Sequence, residues 1–134
     1  GKPIFYSIGD FILQNDTVLL QPSVAYSRYG LDWWEATPAD YYDARSGKQT
    51  RGQDVGAVYW QSIVALANWE AGQLKTIELH PIDLGMGLPM GQRGRPVMAQ
   101  GPVAQEILER FQRMSKPFGT TIEIVDGMGV ISVS

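Results

Sequence analysis

The chain has 134 residues, 44% of them hydrophobic, with 11 Lys and Arg against 14 Asp and Glu and a net charge of −3. That length supports one domain with a real core, and the mild negative charge argues against a nucleic-acid-binding surface, which usually carries a basic patch. There is no cysteine, which excludes disulfides, thiolate metal sites and a cysteine nucleophile within these residues, and no apolar stretch approaches the ~20 residues of a membrane-spanning helix.

Gly1–Lys2–Pro3 reads as a turn feeding the apolar run Ile4–Phe5–Tyr6, and residues 3–13 are expected to form a strand and its exit. Residues 15–57 are rich in turn formers and aromatics and show little periodicity. Within them "TPADYYDAR" predicts a short helix, with Thr37 as N-cap, Pro38 at its first position and Asp40 in the first turn. It should end near Ser46–Gly47, and the polar "SGKQTRGQDVG" that follows is expected to be a loop.

From Ala57 the pattern sharpens. "AVYWQSIVALANW" and "LKTIELHPIDL", joined through Glu70–Ala71–Gly72–Gln73, predict a β-hairpin, although a helical start within 57–67 stays open. Ile77 and Leu79 fall on one face of the second strand, with Thr76, Glu78 and His80 on the other. Residues 84–102 hold enough Gly and Pro to be a loop. Next, "PVAQEILERFQRM" is the clearest helix, with Val103, Ile107, Phe111 and Met114 on one stripe beside Ala104 and Leu108. Gln105, Glu106, Glu109, Arg110 and Gln112 should face water, and Lys116–Pro117 should stop the helix. A second hairpin, "TTIEIVDGMGVISV", turns at Asp126–Gly127 with Ile122 and Ile124 inward. Short links between strands make the fold α+β, built of antiparallel hairpins and one amphipathic helix.

Residues that could carry chemistry are few. His80 is the one histidine, and a catalytic zinc site leans on three protein ligands. We read it as a surface or hydrogen-bonded residue. Ser7, Ser62 or Ser115 could in principle join it, but none sits in a Gly-x-Ser-x-Gly elbow. "GQRGRP" presents Arg93 and Arg95 on a glycine-rich loop, where planar guanidinium groups suit phosphate or carboxylate. The plain alternative is that both arginines cap carbonyls in a tight turn. Trp33, Trp34, Tyr41 and Tyr42 could line a sugar or peptide groove, or close a small core. Asp10 follows a glycine at a strand end, where it presents a carboxylate or satisfies its own turn.

Taken together, "GKPIFYSIGDFILQ", "TPADYYDAR", "YWQSIVALANWEAGQLKTIELHPIDLG", "RGRPVMAQG" and "ILERFQRMSKPFGTTIEI" resemble, in order and over almost the whole chain, the C-terminal part of the bacterial capsule-synthesis CapA family. These are poly-γ-glutamate synthesis proteins with a calcineurin-like metallophosphatase fold. In that family a Gly-Lys-Pro-Ile-Phe-Tyr-Ser-Leu-Gly-Asn/Asp-Phe stretch follows a Gly-His-x-x-His type metal motif. Here Ile8 replaces the commoner Leu, and Asp10 stands where Asn is frequent. Arg93 and Arg95 match the family's Arg-Gly-x-Pro loop.

The resemblance implies a piece of a longer, two-metal, phosphoesterase-like parent whose divalent metals are held by residues outside this chain. The piece itself would then be non-catalytic and bind no cofactor. Residues 1–14 would close the phosphoesterase-like core of a metallophosphatase-like α/β sandwich. Residues 15–57 would form a loop-rich segment with a short helix, and 58–134 the hairpin–helix–hairpin part. Ser7, Gly9 and Asp10 would leave the core strand near the active-site face, with Ser7 and Asp10 as substrate-binding candidates beside Arg93 and Arg95. The expected partner is the rest of the parent chain, at the cell envelope. Three further expectations are an anionic polymer at the two arginines, a second copy exchanged through the N-terminal strand, and no nucleic acid. A free-standing hydrolase using His80 is the remaining rival.

Overall fold

A computed structural model describes residues 2–6, 18–89 and 91–133. The chain divides into two compact units, one of Gly1–Gly9 with Trp60–Ser134 and one of Asp10–Tyr59.

The larger unit is an antiparallel sheet with one long helix against it. Strand β1 (Gln61–Glu70) and strand β2 (Gln73–Asp83) form the first hairpin, with Gln61 opposite Asp83 and Glu70 opposite Gln73. Ala71 and Gly72 turn it with φ of 48° and 75°. Two central residues at positive φ make the tight hairpin turn whose twist matches that of the strands. The helical start left open for 57–67 is confined to a single 3-10 turn, Ala57–Trp60, before β1 begins.

Strand β3 (Val97–Met98) pairs with the end of β2 inside the stretch read as loop. Helix α3 (Gly101–Ser115) follows, then β4 (Glu123–Val125) and β5 (Met128–Ser132), joined by Asp126 and Gly127 at φ 50° and 77°. β5 pairs with β2, so the sheet order is β1-β2-β5-β4, with β3 on β2 beside that path. The α+β class and both hairpins are as expected from the sequence.

One face of the sheet is the core. Leu74, Ile77 and Leu79 of β2 meet Leu108 of α3 and Ile122, and Ala104 and Ile107 of α3 meet Ala99. Ile63 and Phe111 pack against both groups. Ile107 and Leu108 are almost wholly buried, and each such side chain contributes about 1.5–3 kcal/mol.

The helix stripe stops short of its predicted end. Met114 is 59% exposed, and Phe111 is the last residue of the stripe to pack on the core. Two residues expected to face water do otherwise. The Arg110 guanidinium donates to Gln61 Oε1 and to Glu106 Oε1, and Gln112 Nε2 donates to the Ile122 carbonyl at 2.7 Å. Both tie the helix to chain outside it.

Residues 2–6 form no strand, so the expected strand is absent over 3–6, and its remainder, 7–13, lies outside the described residues. Instead of pairing in a ladder, Tyr6 stacks on Phe118 with ring centroids 4.7 Å apart.

In the smaller unit, α1 (Ser23–Arg28) and α2 (Pro38–Ser46) are short. α2 has the predicted cap. The Asp40 N–H donates to Thr37 Oγ1 at 3.2 Å, and the Thr37 N–H donates to Asp40 Oδ2 at 2.8 Å. That reciprocal pair satisfies two donors that a helix start leaves open. At the other end Gly47 adopts φ 59° and donates its N–H to the Asp43 carbonyl, as a left-handed C-terminal glycine does. The polar stretch beyond it contains a 3-10 turn, Gly52–Val55.

Candidate functional site

The arginine loop is built on the end of β2. Asp83 Oδ1 accepts the Gly85 N–H at 2.8 Å, and the Pro89 carbonyl accepts from Gln92 and Arg93 at 2.8 and 3.2 Å. The Gly94 N–H then returns to the Leu84 carbonyl at 2.7 Å and closes the loop. Glycine suits position 85 because its φ is +77°, a conformation that L side chains rarely adopt.

Just beyond the closure, β3 pairs Val97 with Asp83 and Met98 with Ile82. Arg93 and Arg95 are therefore carried between two anchors on one strand. The Arg93 guanidinium sits over the Trp60 ring, 5.3 Å from its centroid, a cation–π contact that fixes the charged plane. Arg93 is half-buried and Arg95 exposed. Among the described residues neither arginine is ion-paired to a carboxylate. Among the described residues neither side chain donates to a loop carbonyl, the role that the plain turn reading gives them.

Ser7 and Asp10, the other two substrate-binding candidates, lie outside the described residues. The structure thus brings together only the arginine pair, and adds Trp60, which the sequence reading left unassigned. A tryptophan directly preceding a strand whose far partner leads into an Arg-Gly-Arg loop was the available signal.

His80 lies on the outward face of β2 with Nε2 3.3 Å from Glu78 Oε2. Asn68 Nδ2 donates to Glu78 Oε1 at 3.1 Å and to Thr76 Oγ1 at 3.0 Å. This polar row on the hairpin engages His80 with a carboxylate rather than with a serine. Ser62 and Ser115 sit at the start of β1 and the end of α3. Among the described residues no group of three His, Asp or Glu side chains could hold a metal ion.

The aromatic residues of the smaller unit separate. Tyr41 is buried against Tyr26, Tyr29 and Tyr42 at centroid distances of 5.4, 5.8 and 5.0 Å. The Tyr42 hydroxyl donates to the Val18 carbonyl at 2.9 Å. Trp33 and Trp34 stay outside this cluster at 43% and 74% exposed. Among the described residues the buried rings of this unit are Tyr26, on α1, and Tyr41, on α2, with Tyr29 at the residue that caps α1.

No family model matches the chain. It is 40% identical over 138 aligned positions to two uncharacterized proteins of Sinorhizobium fredii (strain NBRC 101917 / NGR234), y4sH and y4uA. The alignment takes in 97% of this chain but 29% of each relative, so the chain spans less than a third of their length.

Proposed function

We propose that this chain works as the C-terminal part of a CapA-like protein of capsule or poly-γ-glutamate synthesis. It is non-catalytic by itself, and it completes the core and one wall of the substrate cleft of a phosphoesterase-like parent at the cell envelope. The observation that carries this reading is the unbroken order of the five resembling segments along almost the whole chain. The end of the third, "IELHPIDLG", and the fourth, "RGRPVMAQG", form one local structure, since β3 and the Leu84–Gly94 closure tie the latter to the former. The divalent metals of such a parent would supply Lewis-acid activation of a phosphoryl or carboxyl oxygen, on ligands outside this chain.

The test compares the complete reading frame that contains this chain with the chain alone, both supplied with manganese and a chromogenic phosphodiester. Hydrolysis by the complete protein and none by the chain is expected. Hydrolysis by the chain alone, or a complete protein that binds no divalent metal, overturns the reading.

A second reading makes the chain a binding module for an anionic polymer through Arg93 and Arg95. It is favoured by the Arg93 guanidinium being held over a ring, with no carboxylate partner among the described residues.

A further inference from the structure

The two edges of the sheet differ in kind. β4 is three residues long and carries Glu123, and β3 is two residues long. Short strands and charges are the usual means of keeping an edge from pairing with another chain. β1 has neither. It runs for ten residues, contains no Pro, Gly, Lys or Arg, and bears its one charge at the last position, Glu70. Its single irregularity is the register shift beyond Asn68. Among the described residues β1 pairs with β2 alone, and Val64, Leu66 and Trp69 are 37%, 49% and 51% exposed. A long edge with exposed apolar residues and no charge before its last position is a template for strand addition.

We propose that β1 pairs antiparallel with β1 of a second copy, about a two-fold axis at Ala65, joining two sheets into one. The sequence of the strand selects this occupant and this register. Directly opposed residues of an antiparallel pair share a face, so a two-fold pairing sets each residue against one of the same parity. With Ala65 opposite itself, Val64 meets Leu66 of the other copy on both sides of the axis. Ile63 meets Ala67, and Ser62 meets Asn68. In these three pairs apolar residues face apolar and polar face polar, and beyond them Gln61 meets Trp69. Centring on Leu66 instead would set Val64 against Asn68.

The Ala65 register also places Glu70 of one copy opposite Trp60 of the other. Trp60 extends the ladder, since its carbonyl accepts the Leu84 N–H at 2.8 Å, and its ring carries the Arg93 guanidinium. A carboxylate and an arginine without a carboxylate partner among the described residues thus close each end of the pairing. This pairing is independent of any phosphoesterase role.

Sedimentation equilibrium of the chain should show a concentration-dependent dimer. Leu66→Lys should weaken it at least ten-fold, about 1.4 kcal/mol, whereas Leu20→Lys at a residue 92% exposed in the smaller unit should leave it unchanged. Glu70→Arg should also weaken it, and adding Arg93→Glu should restore it. Restoration by the charge swap supports the register without depending on how Leu66→Lys folds. A chain that stays monomeric throughout overturns the proposal. So does a dimer indifferent to both Leu66→Lys and the charge pair.

Discussion

Asp40 is held below the ordinary carboxylate range, first by its side-chain hydrogen bond with Thr37 and then by the Thr37 backbone N–H, against a small opposing effect of burial. A carboxyl group that is more acidic in the folded state binds fewer protons there than in the unfolded chain. Its contribution to stability is therefore complete above the unfolded carboxylate pKa, and is lost as pH falls through the lower folded value. Thr37→Ala removes the side-chain partner. NMR titration of the Asp40 carboxyl should then move up toward the ordinary range, with faster amide exchange in the first turn of α2. A titration unchanged by the substitution would mean that the capping pair does not set this pKa. This cap was legible in the sequence because its chemistry is local, four residues reading Thr-Pro-Ala-Asp. The fate of Trp33 and Trp34 was not, because whether a ring is covered depends on which elements converge on it. The tyrosines of α1 and α2 take the interior places that a reading by size would give to tryptophan.

Among the elements, β5 shows how closely α3 lies on the sheet. Gly129 is opposite Leu79 in the ladder. A Cβ built there would stand 3.0 Å from Ile122 Cγ2 and 3.2 Å from both Leu108 Cδ2 and Leu79 Cβ. Space rather than backbone conformation favours glycine here, since Gly129 is not among the residues at positive φ. Gly129→Ala should lower stability by about 1–3 kcal/mol, as overpacking a filled core does, read as a reduced denaturant midpoint at constant slope. An unchanged midpoint would show that the three neighbours yield freely. Both hairpins and α3 were readable from periodicity and from turn positions that need positive φ. The close approach at Gly129 was not, because it depends on which helical residue arrives above it. β3 was missed for a related reason. Two residues have no period, and Val97–Met98 is a strand only because β2 offers Ile82 and Asp83 beside it. The inward use of Gln112 likewise answers a carbonyl, that of Ile122, which no helical pattern announces.

At the scale of the whole molecule, a net charge of −3 and a pI near 5.0 set the sign of its long-range field. A polyanion approaching it is repelled overall, so attraction at Arg93 and Arg95 must act within the Debye length, about 8 Å at physiological salt. Should the second functional reading hold, poly-γ-glutamate binds measurably at low salt. Arg93→Ala with Arg95→Ala then weakens it by about ten-fold, the range of two solvent-screened charge contacts. Equal binding by the two proteins would leave the loop a structural turn. The polymer, the parent and its metals came from resemblance rather than from pattern, since a single histidine and two arginines define no chemistry by spacing.

The central position of β2 also orders events in time. β1–β2 and β4–β5 are each closed by two residues, and hairpins of that kind form in about 1–10 μs. Leu79 and Gly129, by contrast, meet only after the arginine loop, β3 and α3 have intervened. Until they do, the inward face of β2 has no helix or third strand over it. On a ribosome the first hairpin would emerge complete and then wait for the last residues of the unit. The slow step of folding is therefore expected to be the docking of β5 and α3 onto β2, a contact between distant parts of the chain whose closure entropy must be met before burial rewards it. Lengthening the 84–96 loop would slow that step only gradually, because the closure cost rises with the logarithm of loop length.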